Sequence, residues 1–447
     1  MTASGEQTGH PCGRWALVNG RLILPREVVV GKALVGEGDK LVGVADLDAL
    51  GAEVERIDAG GRYVAPGLVD IHTHGALGHT FNEPTAEAFE VITAANAAHG
   101  VTALLATVAT APIPALVRCL EAARAWMPPL PSPPHAEGMP PLSSPPHAEG
   151  MPPLSSPPHA AGMPPRSSPP RAGGVGGGGA QVLGVHLEGP YFNPAQKGAQ
   201  DPDHLRVPDD GSPAVLLEHA GVLRVMTFAP ELPGALELTT ECAARGIVPA
   251  AGHSAAQDTH VLAAMRLGLR HAVHLWSGQS STIRQGPWRR PGLLEAVLAY
   301  DELTAEMIAD HRHLPSTLMR LAYKCKGADR LCVVSDATAG AGMPEGTRFR
   351  LGSVECQVQD GVGMLLDRSA FAGSTTLLNR MVAILVEAAG VPLVEAVRMA
   401  SLTPARIVGL DGRKGSLEPG KDADVAIFED DFTVWRTMIA GRWVFVA

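Results

Sequence analysis

Charge is scarce in this chain. Only 18% of its 447 residues are Asp, Glu, Lys or Arg, below the roughly 25% usual for globular proteins. Acids outnumber bases, 46 to 36, for a formal net charge of -10. No basic stripe with interleaved aromatics is present, and aromatics make up only 4%. Nucleic acid, whose phosphates need clustered Lys and Arg, is therefore not an expected partner. Cysteine is sparse as well. Cys12, Cys119, Cys242, Cys325, Cys332 and Cys356 are scattered, with no C-x-x-C pair, which excludes zinc-knuckle and thioredoxin-like patterns. Dispersed thiols suit a reducing compartment. The start, MTASGEQTGHPCGRW, lacks a basic segment followed by an apolar run, so no secretory signal is read. No stretch approaches the ~18 apolar residues of a membrane span. These absences lead us to expect a cytoplasmic chain with no membrane partner. Phosphate-cradling loops are missing too: the run GGVGGGG near residue 175 is not followed by Lys and Ser or Thr.

Proline and glycine, by contrast, are concentrated. Of 38 prolines, 17 fall within residues 128–179, in repeats of SSPPHAEGMPPL type that end in glycines. Proline removes backbone donors and Gly–Ser stretches are floppy, so this segment reads as a disordered insertion. Its histidines (His135, His147 and His159) read as repeat drift rather than a metal site. With that segment set aside, short β-branched runs alternate with alanine-rich amphipathic stretches. The runs are 63–71, 101–107, 181–187, 222–228, 247–252, 271–275, 303–308 and 330–335. Eight such units predict a (β/α)8 TIM barrel over 63–411. The insertion then falls in an α-to-β connection, on the face opposite the catalytic loops. Residues 15–62 and 412–447 read as short strands and turns, and are expected to pair into one small β-sandwich domain. Residues 1–14 are expected to be a flexible N-terminus.

The chemistry gathers at the ends of the runs. In VDIHTHG (69–75), His72 and His74 lie two apart on a strand and face one side. Converging neutral imidazoles are a common metal site. Glu188 closes the third run, His253 follows the fifth, His274 ends the sixth and Asp336 follows the eighth. Barrel chemistry lives at the C-terminal ends of strands. Each residue alone reads as a turn or core residue, but six at equivalent positions read as one site. Nitrogen and oxygen donors without thiolate suit Zn²⁺, with Fe²⁺ or Mn²⁺ as alternatives. A rival motif, GHSAA (252–256), approaches the nucleophile elbow G-x-S-x-G, but it ends in Ala and no later His follows in the required order.

At these residues the chain resembles the amidohydrolase superfamily and, within it, the N-acetylglucosamine-6-phosphate deacetylase family. The matching pieces are APGLVDIHTHG (65–75), GVHLEGPYFNPAQKGA (184–199), AGHSAA (251–256), VSDATAGAGMPEG (334–346), AGSTTLL (372–378), SLTPARIVGL (401–410) and GSLEPGKDADVAIF (415–428). They follow the family's order across nearly the whole chain outside the insertion. The resemblance implies that Glu188, His253 and His274 hold one metal, and that His72 and His74 complete a second, with Glu188 as the bridge. It implies Asp336 as the catalytic acid/base and His313 as a substrate contact. It also implies a homodimer, because a neighbour's arginine often binds the phosphate. The departures lie on the substrate side. The family's Lys-Gly-Ala-His ends here in Gln200, its Asn-Ala pair becomes Ser277-Gly278, and Arg289 stands where the phosphate-binding arginine is sought, with Arg284 and Arg290 as rivals. The implied activity is hydrolysis of the acetamide of an amino-sugar phosphate. The alternatives are another N-acyl amino sugar, a cyclic amide, or a non-catalytic metal- or sugar-binding role.

Overall fold

The computed structural model describes residues 13–127 and 178–447. Nearly all of the expected insertion (128–179) and flexible N-terminus (1–14) thus lies outside the described residues. Eight parallel strands form one sheet in strict chain order. They are β1 (Leu68–Thr73), β2 (Val101–Ala109), β3 (Gln181–Glu188), β4 (Leu223–Phe228), β5 (Val248–Ala251), β6 (His271–Ala272), β7 (Thr304–Met307) and β8 (Leu331–Val333). Their sequences are near-continuous apolar runs, as strands covered on both faces require. All nine residues of β2 are buried.

The barrel closes between β8 and β1 at the mouth. The Asp336 N–H donates to the His72 carbonyl (2.8 Å), and the His74 and Gly75 N–H groups donate to the Ala337 carbonyl (2.7 and 2.9 Å). Buried Asp70 helps the closure by accepting from the N–H groups of Ser335 and His72. The strands β6 and β8 end sooner than their runs suggest. His274 and Asp336 take positive φ (21° and 45°), which no strand can continue.

The chain ends build the accessory module from two sheets. One orders Lys40–Asp46, Lys32–Glu37, Arg14–Val18 and Glu55–Asp58; the other orders Arg442–Val446, Val434–Ile439, Val425–Phe428, Tyr63–Pro66, Arg21–Ile23 and Val28–Val29. Between them lie Trp15, Leu34, Val64, Ile427 and Met438. The expected boundary needs correction here. Tyr63–Pro66 pairs with Val425–Phe428 in the accessory sheet, so the barrel starts at Leu68. Gly67 makes the crossing, since a Cβ there would sit 2.1 Å from Thr102 Oγ1. Buried Lys414 joins the two modules: its Nζ meets Asp424 (2.6 Å), Asp422 (3.0 Å) and Gln181 at the start of β3 (2.7 Å).

Helix Ile113–Trp126 and β3 flank the undescribed stretch. Its attachment points therefore sit at the N-terminal end of β3, away from the strand ends that carry Glu188. Two elements on the site side were not anticipated: an exposed hairpin of Ile283–Gln285 with Trp288–Arg290, and a meander of Arg348–Leu351, Val354–Gln359 and Val362–Leu365. Among the described residues, no helix is long and apolar enough to cross a membrane.

Candidate metal centre and active site

Glu188 is the hub. It ends β3 and is almost fully buried. Its Oε1 lies 2.8 Å from His274 Nε2, 3.2 Å from His253 Nε2 and 3.4 Å from His72 Nε2. Its Oε2 lies 3.2 Å from His74 Nε2. Four imidazoles from β1, β5 and β6 thus turn one nitrogen each towards one carboxylate. Burial disfavours the charge on Glu188, yet the surrounding His72, His253 and His274 hold its carboxyl well below the ordinary range. Asp336 caps the group, with Oδ1 3.4 Å from His74 Nε2 and 3.5 Å from His72 Nε2.

The side chains fit a divalent cation. His72 Nε2 is buried and has no hydrogen-bond partner, although two carboxylates flank it. Two three-residue sets bring their donor atoms together, His72–His74–Glu188 and Glu188–His253–His274, and they share Glu188. In the second set the distal nitrogens are held by the protein, His253 Nδ1 by the Gln196 carbonyl (2.9 Å) and His274 Nδ1 by the Ser277 carbonyl (3.1 Å); His74 Nδ1 has no such partner. Such contacts fix the tautomer that leaves Nε2 free to bind. A third set, His72–His186–Glu306, also falls within reach. His186 offers it nothing, because its Nδ1 meets the Ile71 carbonyl (3.2 Å) and its Nε2 the Thr227 hydroxyl (2.7 Å). Burial pushes the His186 imidazole down to about 3, so it stays neutral.

A cavity of about 290 Å³ opens onto this centre. The metal-ligand candidates His74, Glu188, His253 and His274 line it, as do Asp336, Gln200, Ser277, Gly278 and His313. His72 lies one layer deeper. The substrate-side residues have structural duties as well. Gln200 Nε2 donates to Glu188 Oε2 (2.6 Å) while its Oε1 accepts from the Thr110 N–H (2.9 Å). Gly278 has φ +56°, and a Cβ there would lie 2.8 Å from His253 Nδ1. The imidazole of His313 is held by Asp310 (2.7 Å) and packs on Phe371. Arg289 does not join them. It is exposed on the hairpin and stands outside the cavity lining, with its Nη1 on the Pro287 carbonyl. Sequence reasoning missed Glu306, His271 and Gln200's bond to Glu188. A carboxylate inside the apolar run 303–308 was the available signal for Glu306.

A barrel with this cluster at its C-terminal rim defines a metal-dependent hydrolase, and the amidohydrolase family model matches residues 178–444. The chain belongs to the amidohydrolase family, whose members are metal-dependent hydrolases of carbon–nitrogen bonds. Its relatives narrow the class. An N-acetylgalactosamine-6-phosphate deacetylase of Escherichia coli O157:H7 is 37% identical over 60% of this chain and 69% of its own length. An N-acetylglucosamine-6-phosphate deacetylase of Vibrio furnissii is 30% identical over 86% of this chain and 83% of its own. Among solved structures, the N-acetylglucosamine-6-phosphate deacetylase of Pasteurella multocida superimposes with a TM-score of 0.80 at 27% identity, covering 96% of this chain and 99% of that one.

Proposed function

We propose that this chain hydrolyses the N-acetyl group of N-acetylglucosamine 6-phosphate, releasing acetate and glucosamine 6-phosphate. One observation carries the reading: Glu188 is shared by two histidine pairs on the floor of a cavity that also presents Asp336. Two divalent ions per chain, with zinc the best match to the donors, fit the two sets that share Glu188. A bound divalent ion supplies Lewis acidity, lowering the pKa of water and polarising the amide carbonyl. Asp336 takes the proton from the attacking water. It then passes that proton to the nitrogen of the breaking amide bond, so the amine leaves neutral. Gln200 and the carbonyls of Gln196 and Ser277 keep the acceptor groups oriented throughout. His313, held by Asp310, faces the cavity as a contact for the sugar.

Among the described residues, the cavity lining includes no Lys or Arg. An anionic phosphate there would need a cation from elsewhere. The exposed hairpin carries Arg284, Arg289 and Arg290, which supports a homodimer in which one copy lends Arg289 to the other. The dispersed free thiols support a cytoplasmic setting.

A second reading has its own support. The 37% identity to the E. coli N-acetylgalactosamine-6-phosphate deacetylase favours the 4-epimer as substrate. Acetate release from both phosphorylated sugars and from unphosphorylated N-acetylglucosamine, measured with metal content, separates these readings. Preference for N-acetylglucosamine 6-phosphate is the expected result. Preference for the galactose epimer selects the second reading. Equal turnover of the unphosphorylated sugar rejects both. Metal-replete protein inert on all three would turn attention to a cyclic amide or a non-catalytic role.

A further inference from the structure

Glu306 lies on β7, directly beneath the centre, and none of its surface is exposed. A lone carboxylate there would be costly, yet every contact it makes leads to the site or supports it. Its Oε2 accepts from His72 Nδ1 (2.7 Å) and from the backbone N–H of His274 (3.3 Å). Its Oε1 meets His271 Nε2 (3.1 Å). The His271 ring is anchored in turn by Thr304 Oγ1 at Nδ1 (2.8 Å), and the Thr304 hydroxyl donates to the Arg270 carbonyl (3.0 Å).

A carboxylate only accepts hydrogen bonds. The proton between His72 and Glu306 therefore sits on His72 Nδ1, so that in the neutral ring a metal ligand requires, the lone pair is on Nε2. That is the nitrogen without a hydrogen-bond partner, facing Glu188 and Asp336. Both oxygens of Glu306 are thus turned to protein donors, Oε2 to His72 and the His274 N–H and Oε1 to His271. The satisfied ring of His186 leaves the third donor set one ligand short.

We infer that Glu306 is the positioning residue of the metal centre: through His72 it sets the donor geometry of the His72–His74 half-site, backed by His271 and Thr304. The inference rests on the two-ion reading above. Outer partners of ligating histidines typically contribute about 10- to 100-fold in metal affinity.

The test is a cobalt titration of chelator-stripped protein, followed by visible absorption, for wild type and Glu306→Gln. Wild type takes up two equivalents. In Glu306→Gln the first equivalent binds as in wild type, the second binds about 10- to 100-fold more weakly, and excess metal restores turnover. Two equivalents bound by the variant with wild-type affinity overturn the positioning role while the two-ion reading stands. One equivalent in fully active wild type overturns the two-ion reading, and this inference with it. Should the variant fail to fold, nitrogen-15 histidine spectra of zinc-loaded wild type decide instead. His72 protonated at Nδ1 agrees with the inference, and protonation at Nε2 overturns it.

Discussion

Asp336→Asn separates chemistry from scaffolding. Asn matches Asp in shape, and both tolerate the positive φ of 45° found at this position. The backbone bond from the Asp336 N–H to the His72 carbonyl does not involve the side chain and survives. Asp336 belongs to neither of the two donor sets that share Glu188, so the ions should stay. What is lost is a proton acceptor. Burial opposes ionisation of Asp336, but its bond to His74 and the nearby His72 and His274 outweigh that and hold the carboxyl below its ordinary range. It is therefore ionised at neutral pH and ready to act as a base. General acid–base catalysis is typically worth 10²- to 10⁴-fold, about 3–5 kcal/mol of barrier. We expect kcat for acetate release to fall by that factor, with KM, metal content and melting temperature near wild type. A variant with its ions bound and kcat within about ten-fold of wild type would refute the proton-transfer role. Loss of an ion would show instead that Asp336 is a ligand.

Further predictions bear on other parts of the molecule. Gly278→Ala places a Cβ 2.8 Å from His253 Nδ1 and 2.9 Å from the Gln196 carbonyl that holds it. Metal affinity at the His253–His274 half-site should fall by about ten-fold or more, read by titration of stripped protein. Gly36→Ala drives a Cβ to 2.1 Å from the fully buried Trp15 ring. It should cost about 1–3 kcal/mol of accessory-module stability by overpacking, seen as a lower melting temperature with unchanged kcat. Asp422 titrates at about 2: burial works against its charge, but Lys414, Lys40 and Arg413 outweigh it. Because its folded pKa is depressed, its contribution is present above the unfolded value near 3.8 and is lost as pH falls through about 2. Asp422→Asn should flatten the pH dependence of stability across that window, measured by denaturant midpoints.

Much of the centre was legible because barrel geometry turns position in a run into position in space. His72, His74, Glu188, His253, His274 and Asp336 all lie at or just past strand ends, where strand periodicity and chain order suffice. Glu306 and His271 were not legible in the same way. Each sits inside a run. His271 meets Glu306 across the neighbouring strands β6 and β7, whereas Glu306 reaches His72 on β1, a strand that is not its neighbour in the sheet. Glu306 meets His72 across 234 positions of sequence. Gln200 stands as a substrate contact only through its place in the piece that resembles the family's Lys-Gly-Ala-His; its bond to Glu188 depends on a loop path with no periodic signal. The meander after β8 and the transfer of Tyr63–Pro66 to the accessory sheet were hidden for a related reason. A short β-branched run does not reveal which sheet it will join.

The positive φ values at His253 (46°), His274 (21°) and Asp336 (45°) explain why strand pattern leads to these residues but not to their final aim. A strand continued through them would send alternate side chains to opposite faces. The turn to a left-handed backbone ends the alternation and lets the ends of β5 and β6 direct His253 and His274 at Glu188, and the end of β8 direct Asp336 at His72 and His74. For residues other than Gly such backbone costs of order 1–3 kcal/mol each, a sizeable share of the 5–15 kcal/mol by which a domain is typically stable. The neighbouring hydrogen bonds offset that cost. The Asp336 N–H donates to His72 and its carbonyl accepts from Ser374 (2.8 Å), the His253 carbonyl accepts from the Asn193 N–H (2.9 Å), and the His274 N–H donates to Glu306. The bonds that close the barrel are thus among those that hold the site residues in strained backbone. Weakening the β8–β1 closure should therefore disturb the metal centre before it unfolds the barrel.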